Sequence, residues 1–398
     1  MFKLEAHYDV IVIGAGPAGL MAARKAAEGG ANTLLLEKER SLGVKPCGEA
    51  VSLSTLADAG LSATGRHTVH KVRGAHVVAP DGVSKVTLDA TDFSAAGRGG
   101  GMIIDKPVFL EELAAKAVGS GVQLAISAKV DDIERSDEDV AVSCSVMGRR
   151  TVSGAKVVIG CDGVGSIVAK KYFNRRGYEL VSCLQYIIAN CEILEEDMLY
   201  FYFGSQVAPE AYLWVFPKGD GYANVGLGVR GAQAKPYLDK FVRGHPEMFG
   251  SSTVIGIGAA ILPISGLVPT MATERLLLAG DAAGQVIPVT GAGIHTSLVG
   301  GAIAGEVAAE SLEAGDQSAR FLKAYEERYA DPWSQRIERS LRVLRAIEKL
   351  PDNDLNELAS VLTGEDILDL ANGLNVTRVA AKLLKHPIFA LKVAKALV

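Results

Sequence analysis

The 398-residue sequence predicts an α/β chain, α+β overall, with a parallel-sheet domain, an antiparallel-sheet domain and a helical C-terminal region. Three observations predict it. An apolar run near the N-terminus passes through a glycine turn into a helix and a second strand. Val181–Gly228 is strand-rich and holds eight Phe, Tyr and Trp residues between Tyr186 and Phe216. From about Gly301 onward the apolar spacing turns helical, with Phe321, Tyr325, Ile337, Leu341 and Leu344 marking helix faces.

The first element is Val10-Ile11-Val12-Ile13, which feeds Gly14-Ala15-Gly16-Pro17-Ala18-Gly19; Leu34-Leu35-Leu36 and then Glu37 follow. Strand, glycine turn, helix, strand and acid in that order form a Rossmann-type dinucleotide fingerprint. Gly14 allows the tight turn, Gly16 lets backbone approach a pyrophosphate, and Gly19 lets helix and strand pack closely. The helix N-terminus offers free N–H groups to phosphate. Glu37 suits ribose hydroxyls and repels a 2′-phosphate, which favours FAD or NAD over NADP.

Length fits two domains with a helical tail. The composition, 48% hydrophobic and 22% charged, is that of a folded globular chain, and a net charge of −5 argues against nucleic acid as a partner. Asp9 and the first strand begin before any basic, then apolar, leader pattern, so a cytoplasmic location is expected. Met248–Thr273 and Ala282–Gly305 lack formal charge, but their glycines and prolines suit strands and ligand-hugging loops better than membrane spans. The five cysteines, Cys47, Cys144, Cys161, Cys183 and Cys191, include no CxxC pair, so neither a metal site nor a disulfide framework is expected.

The middle of the chain follows in order. Ser41–Ala50 is a loop, and Val69–Leu88 is a hairpin around Pro80-Asp81-Gly82. Gly97–Gly101 reads as a connector, Pro107–Gly119 as a helix and Val140–Val158 as strands around Gly148. The expected segments of the dinucleotide domain are 1–68, 99–180 and 266–310. Strands at 69–98 and 181–265 build the other sheet domain, and 311–398 is helical.

Two further motifs belong with the first. Val157-Val158-Ile159-Gly160-Cys161-Asp162-Gly163 is a strand ending in an Asp-Gly turn. Leu276-Leu277-Leu278-Ala279-Gly280-Asp281 is a buried strand ending in an acid, and it continues through Pro288, Thr290, Gly291, Ala292 and Gly293 into a helix over Ile294–Ala309. Asp281 suits a ribityl hydroxyl, and the glycines bring N–H groups to pyrophosphate and flavin oxygens.

In this order and spacing the three motifs resemble FAD enzymes of the para-hydroxybenzoate hydroxylase-like fold. Two more signatures, Lys45-Pro46-Cys47-Gly48-Glu49 and Ala211-Tyr212-Leu213-Trp214-Val215-Phe216-Pro217-Lys218-Gly219 with Asn224-Val225-Gly226-Leu227-Gly228, resemble the geranylgeranyl reductase family. That family saturates isolated double bonds of polyprenyl chains, including those of archaeal digeranylgeranylglycerophospholipids, chlorophyll and menaquinone. The resemblance implies a Rossmann-type FAD-binding domain with an antiparallel-sheet substrate domain, and FAD as the tightly bound cofactor. It implies FAD contacts at Gly14 through Gly19, Glu37 and Lys38, at Cys47 and Gly48, at Val130, Asp162 and Gly163, and at Asp281, Gly291, Gly293 and Ile294. Lys106 stands where the family often has an arginine that meets FAD, and Gly291-Ala292-Gly293 replaces a commoner triple glycine.

Alternate strand residues share a face, so Tyr212, Trp214 and Phe216 form a row fit to wall an isoprenoid tunnel, or to fill a core. A twenty-carbon chain buried at ~0.8 kcal/mol per carbon gains on the order of 10 kcal/mol gross, much of it offset by ordering. Cys47 lies in a loop between Lys45, which favours a thiolate, and Glu49, which opposes it. The family places it near the flavin. In the implied reaction reduced FAD gives a hydride to one alkene carbon, and Cys47, Tyr212 or a water held by either protonates the other. NAD(P)H, ferredoxin or a deazaflavin, through a redox partner, returns the electrons.

From Ala371 to Val398 there is no acid, while Arg378, Lys382, Lys385, Lys392 and Lys395 alternate with Leu383, Leu384, Ile388, Phe389, Leu391 and Leu397. This pattern suits peripheral contact with the inner face of an anionic membrane, or a solvated helix packed on the core. The competing functions are an aromatic monooxygenase or halogenase on the same fold, a quinone-linked electron-transfer flavoprotein, and a flavin-binding regulator.

Overall fold

The structure, a computed structural model, describes residues 4–90, 100–146, 148–175 and 178–385. His7–Ile13 is central in an eight-stranded sheet, parallel to Thr33–Leu36 on one side and Arg149–Gly160 on the other. Leu276–Leu278 and Gln123–Ala125 extend the parallel part outward. Val10, Ile11 and Val12, Leu34 and Leu35, and Val157, Val158 and Ile159 are wholly buried, which explains why these strands read as unbroken apolar runs. The start of Arg149–Gly160 turns antiparallel to Val140–Val146, which pairs in turn with Ala128–Arg135.

Helices Pro17–Glu28, Lys106–Gly119 and Ile294–Glu313 pack together beside this sheet. Two of them meet backbone to backbone. A Cβ on Gly301 would lie 2.1 Å from the Ala18 carbonyl oxygen, and one on Gly305 would lie 2.2 Å from that of Ala22.

A seven-stranded sheet runs in the order Thr253–Pro263, Leu180–Ala189, Tyr222–Val229, Leu213–Gly219, Met198–Tyr202, Gly74–Val78 and Lys85–Asp89. It is antiparallel except where Met198–Tyr202 meets Gly74–Val78. Helix Ala234–Gly244 covers part of it, with Leu238 and Phe241 buried among Tyr186, Leu227 and Val225. The expected hairpin is formed by Gly74–Val78 and Lys85–Asp89. Thr68–Val72 instead joins Ala50–Ser52 and Gly101–Ile104 in a third, three-stranded sheet, so the 68/69 boundary falls inside a strand. Most of the connector at Gly97–Gly101 lies outside the described residues.

The uncharged segment Met248–Thr273 contains the edge strand Thr253–Pro263, and Ala282–Gly305 leads into Ile294–Glu313. No helix among the described residues is long and apolar enough to cross a membrane. All five cysteines are free, and burial pushes the Cys144 and Cys191 thiols up to about 11.

The basic C-terminal stretch is partly spoken for. Arg378 pairs with Asp366 and Asp369 at 3.0 Å each, and Lys382 reaches Asp366 at 2.5 Å. Both acids lie on Gly364–Ala371 with no side-chain exposure, so they require these counter-charges. Burial pushes the Asp366 carboxyl up, but Lys382 and the Thr363 N–H and hydroxyl pull it down to about 2. Its unfolded value is near 3.9. Its stabilisation is therefore full above the unfolded value and is lost as pH falls through the folded one. Protection of the amides of Gly364–Ala371 and Val376–Leu384 against hydrogen exchange, relative to the intrinsic rate at each pH, is expected to fall across that window, and in Asp366→Asn to be low at every pH.

Candidate active site

The glycine turn is built by contact distances. A Cβ on Gly19 would sit 1.8 Å from the Gly14 carbonyl oxygen, so only glycine lets the helix start this close to the strand. Gly14 has φ 98°, which favours glycine, and its N–H donates to Leu36 O at 2.7 Å. Around Gly16 there is open space where a Cβ would be. Helix Pro17–Glu28 begins with proline and has no side-chain cap, which leaves its first N–H groups for an anion. Glu37 accepts the Ala15 N–H at 2.7 Å and the Glu39 N–H at 2.9 Å, which fixes its carboxylate beside the turn.

A cleft of about 1540 Å³ runs from this turn to the seven-stranded sheet. Of the residues expected at the site only Gly19 does not line it, because it packs inward against Gly14 and Cys161. Lys38, Val130, Gly163, Gly291, Gly293 and Ile294 are on its wall, as are Lys106 and Cys47. Asp162 accepts the Ile167 N–H at 2.7 Å through one oxygen, and burial pushes its carboxyl up. Its other oxygen is buried with no protein partner.

Lys45 was expected to act on Cys47, but its ammonium bonds Asp281 at 2.5 Å. A second cation, Lys106, donates to Lys45 O at 2.6 Å and lies near enough to the thiol to feel it. Burial pushes the Lys106 ammonium down, and the neighbouring Cys47 works the other way. The exchange joins residues 236 positions apart, so local spacing contained no signal for it.

The aromatic row comes together as expected. Ring centroids lie 6.1 Å apart for Tyr212 and Trp214 and 6.4 Å for Trp214 and Phe216. Phe201, which sequence reasoning missed, completes the wall from the next strand, 5.5 Å from Tyr212 and 5.2 Å from Phe216. The Tyr212 hydroxyl donates to Thr290 O, tying this wall to the glycine loop before Ile294–Glu313. Burial pushes that phenol well up, which weakens it as an acid. The two local signatures meet on the same rings. A Cβ on Gly48 would come within 2.7 Å of the Phe216 ring, and one on Gly226 within 2.4 Å of the Trp214 ring.

Adenine-nucleotide features at one end, an orphaned Asp162 oxygen, and glycine loops at a second helix N-terminus fit a flavin adenine dinucleotide. Fold and site define an FAD-binding flavoprotein with an apolar, aromatic-walled chamber beside the cofactor position.

Family models agree: an FAD binding domain matches residues 7–183, and a geranylgeranyl reductase catalytic domain matches residues 179–262. The chain is 34% identical to digeranylgeranylglycerophospholipid reductase 2 of Methanopyrus kandleri, over 98% of this chain and 99% of that one. It is also 34% identical to the Methanocaldococcus jannaschii digeranylgeranylglycerophospholipid reductase, over 97% and 99%. A solved geranylgeranyl bacteriochlorophyll reductase-like protein from Thermoplasma acidophilum superposes with a TM-score of 0.85 at 28% identity, covering 98% and 99%. The chain belongs to the geranylgeranyl reductase family.

Proposed function

We propose that this protein is an FAD-dependent reductase that saturates carbon–carbon double bonds of geranylgeranyl chains in membrane lipid precursors. The observation that carries the reading is that the dinucleotide turn and the Tyr212, Trp214 and Phe216 wall line one common cleft. When bound and reduced, FAD supplies the hydride. Glu37 would hold the adenosine ribose, Gly14 to Ala18 the pyrophosphate, and Asp162, Asp281 and Gly291 to Ile294 the flavin half.

An isolated alkene has no carbonyl to polarise, so the protein acts by positioning and by excluding water. Trp214, Phe216 and Phe201 grip the chain without polar contacts. Cys47 donates the proton, directly or through a water. Tyr212 holds the wall to the Thr290 loop, and burial pushes its phenol up, which weakens it as a proton donor. NAD(P)H, ferredoxin or a deazaflavin restores the electrons. The lipid substrate favours peripheral membrane contact through the basic C-terminal region, where Arg378 and Lys382 are already paired with Asp366 and Asp369 and Lys385, Lys392 and Lys395 supply further positive charge.

The decisive test is anaerobic. The flavin is reduced with dithionite, excess reductant removed and a geranylgeranyl lipid added. Return of oxidised flavin absorbance with a saturated product is expected. No reoxidation by prenyl lipids or prenylquinones, with fast reoxidation by dioxygen stimulated by an aromatic compound, would replace this reading with a monooxygenase.

A further inference from the structure

Glu49 follows Cys47 and Gly48 with a left-handed backbone, φ 69°, which is uncommon outside glycine and must be held by its surroundings. In that conformation its N–H donates to Cys47 Sγ at 3.3 Å, and its carbonyl accepts the Ile104 N–H at 2.9 Å.

The side chain supplies the hold. The Glu49 carboxylate is 12% exposed and takes three donors: Lys218 Nζ at 2.5 Å, Asn224 Nδ2 at 2.8 Å and the Lys106 N–H at 3.1 Å. Lys218 and Asn224 belong to adjacent strands of the seven-stranded sheet, Leu213–Gly219 and Tyr222–Val229. Lys106 opens the helix Lys106–Gly119, which packs with the helices beside the parallel sheet. Asn224 is fully buried and also donates to Gly48 O at 3.3 Å. One carboxylate thus gathers the thiol loop, the substrate-side sheet and the helix start. Hydrogen bonds of this charge-assisted kind are short and directional.

We propose that Glu49 is a positioning residue for Cys47: clamped by Lys218 and Asn224, it holds the backbone that aims an N–H at Sγ and fixes the thiol in the cleft. The proposal deepens the reductase reading and rests on it only where turnover is measured. Glutamine at position 49 keeps the volume, but its single carbonyl oxygen cannot receive all three donors. Methionine at 218 removes the ammonium from the far side of the clamp.

The test compares the FAD-loaded protein with Glu49→Gln and Lys218→Met, each alone and combined with Cys47→Ala. Alkylation of Cys47 by iodoacetamide, read on its own peptide by mass spectrometry, is expected to speed up on the order of tenfold in both single variants, the scale of one lost charged hydrogen bond. Turnover is expected to fall by a similar factor in kcat with KM for the lipid unchanged. In the Cys47→Ala background neither second substitution should cost more, because residues acting through one group are non-additive. Unchanged alkylation in both variants, or costs that add in that background, would overturn the proposal. Lys218→Met gives the same reading should Glu49→Gln lose its flavin. If prenyl lipids never reoxidise the wild-type flavin, the reductase reading fails and alkylation still decides the role of Glu49.

Discussion

Gly19→Ala is expected to cost about 3 kcal/mol of folding stability, the upper range for forced overpacking, and to yield protein nearly free of flavin. The methyl group would meet the Gly14 carbonyl oxygen at 1.8 Å, and that oxygen belongs to backbone that cannot step aside without pulling Gly14 away from Leu36. Gly16→Ala is the informative companion. Nothing protein-derived lies within 4 Å of its Cβ position, and its φ of −75° suits alanine. Its denaturant midpoint without FAD should match wild type while FAD affinity falls, because the new methyl stands where the pyrophosphate approaches the backbone. Chemical denaturation and flavin content separate the two. Equal destabilisation by both substitutions would count against a cofactor role for Gly16.

Cys47→Ala should slow anaerobic reoxidation by the lipid about a hundredfold, the lower end for a lost general acid, with flavin content unchanged. The thiol lines the cleft, and its loss removes only one small group from a wall of many residues. Single-turnover absorbance gives the rate directly. An unchanged rate would remove Cys47 from the chemistry and leave an ordered water as the acid.

The dinucleotide half was legible because its signals are local. An apolar run, the turn from Gly14 to Gly19 and an acid at Glu37 report φ angles, close approaches and burial that neighbours in sequence decide together. The row Tyr212, Trp214, Phe216 was legible for a similar reason, since strand alternation alone aligns it. What stayed hidden depends on partners far along the chain. Phe201 enters the wall through the pairing of Tyr200 with Val215, a register that no local pattern states. Lys45 pairs with the partly buried Asp281, a partner that no local pattern announces. The start of the basic C-terminal stretch is similar: its acid-free window stopped short of Asp366 and Asp369, which pair with Arg378 and Lys382, while residues 386–398, with Lys392 and Lys395, lie outside the described residues.

The contact of Gly301 and Gly305 with Ala18 and Ala22 sets a length standard. Pro17–Glu28 and Ile294–Glu313 each present an N-terminus to the cleft, and their backbones touch too closely to slide or splay. The two electropositive ends are therefore a fixed span apart before any ligand arrives. A molecule that reaches one end alone gains one set of N–H contacts, and a molecule of the right length gains both with little reordering of the protein. The helix pair behaves as a gauge, measuring a dinucleotide against its halves by size before any ring chemistry is consulted.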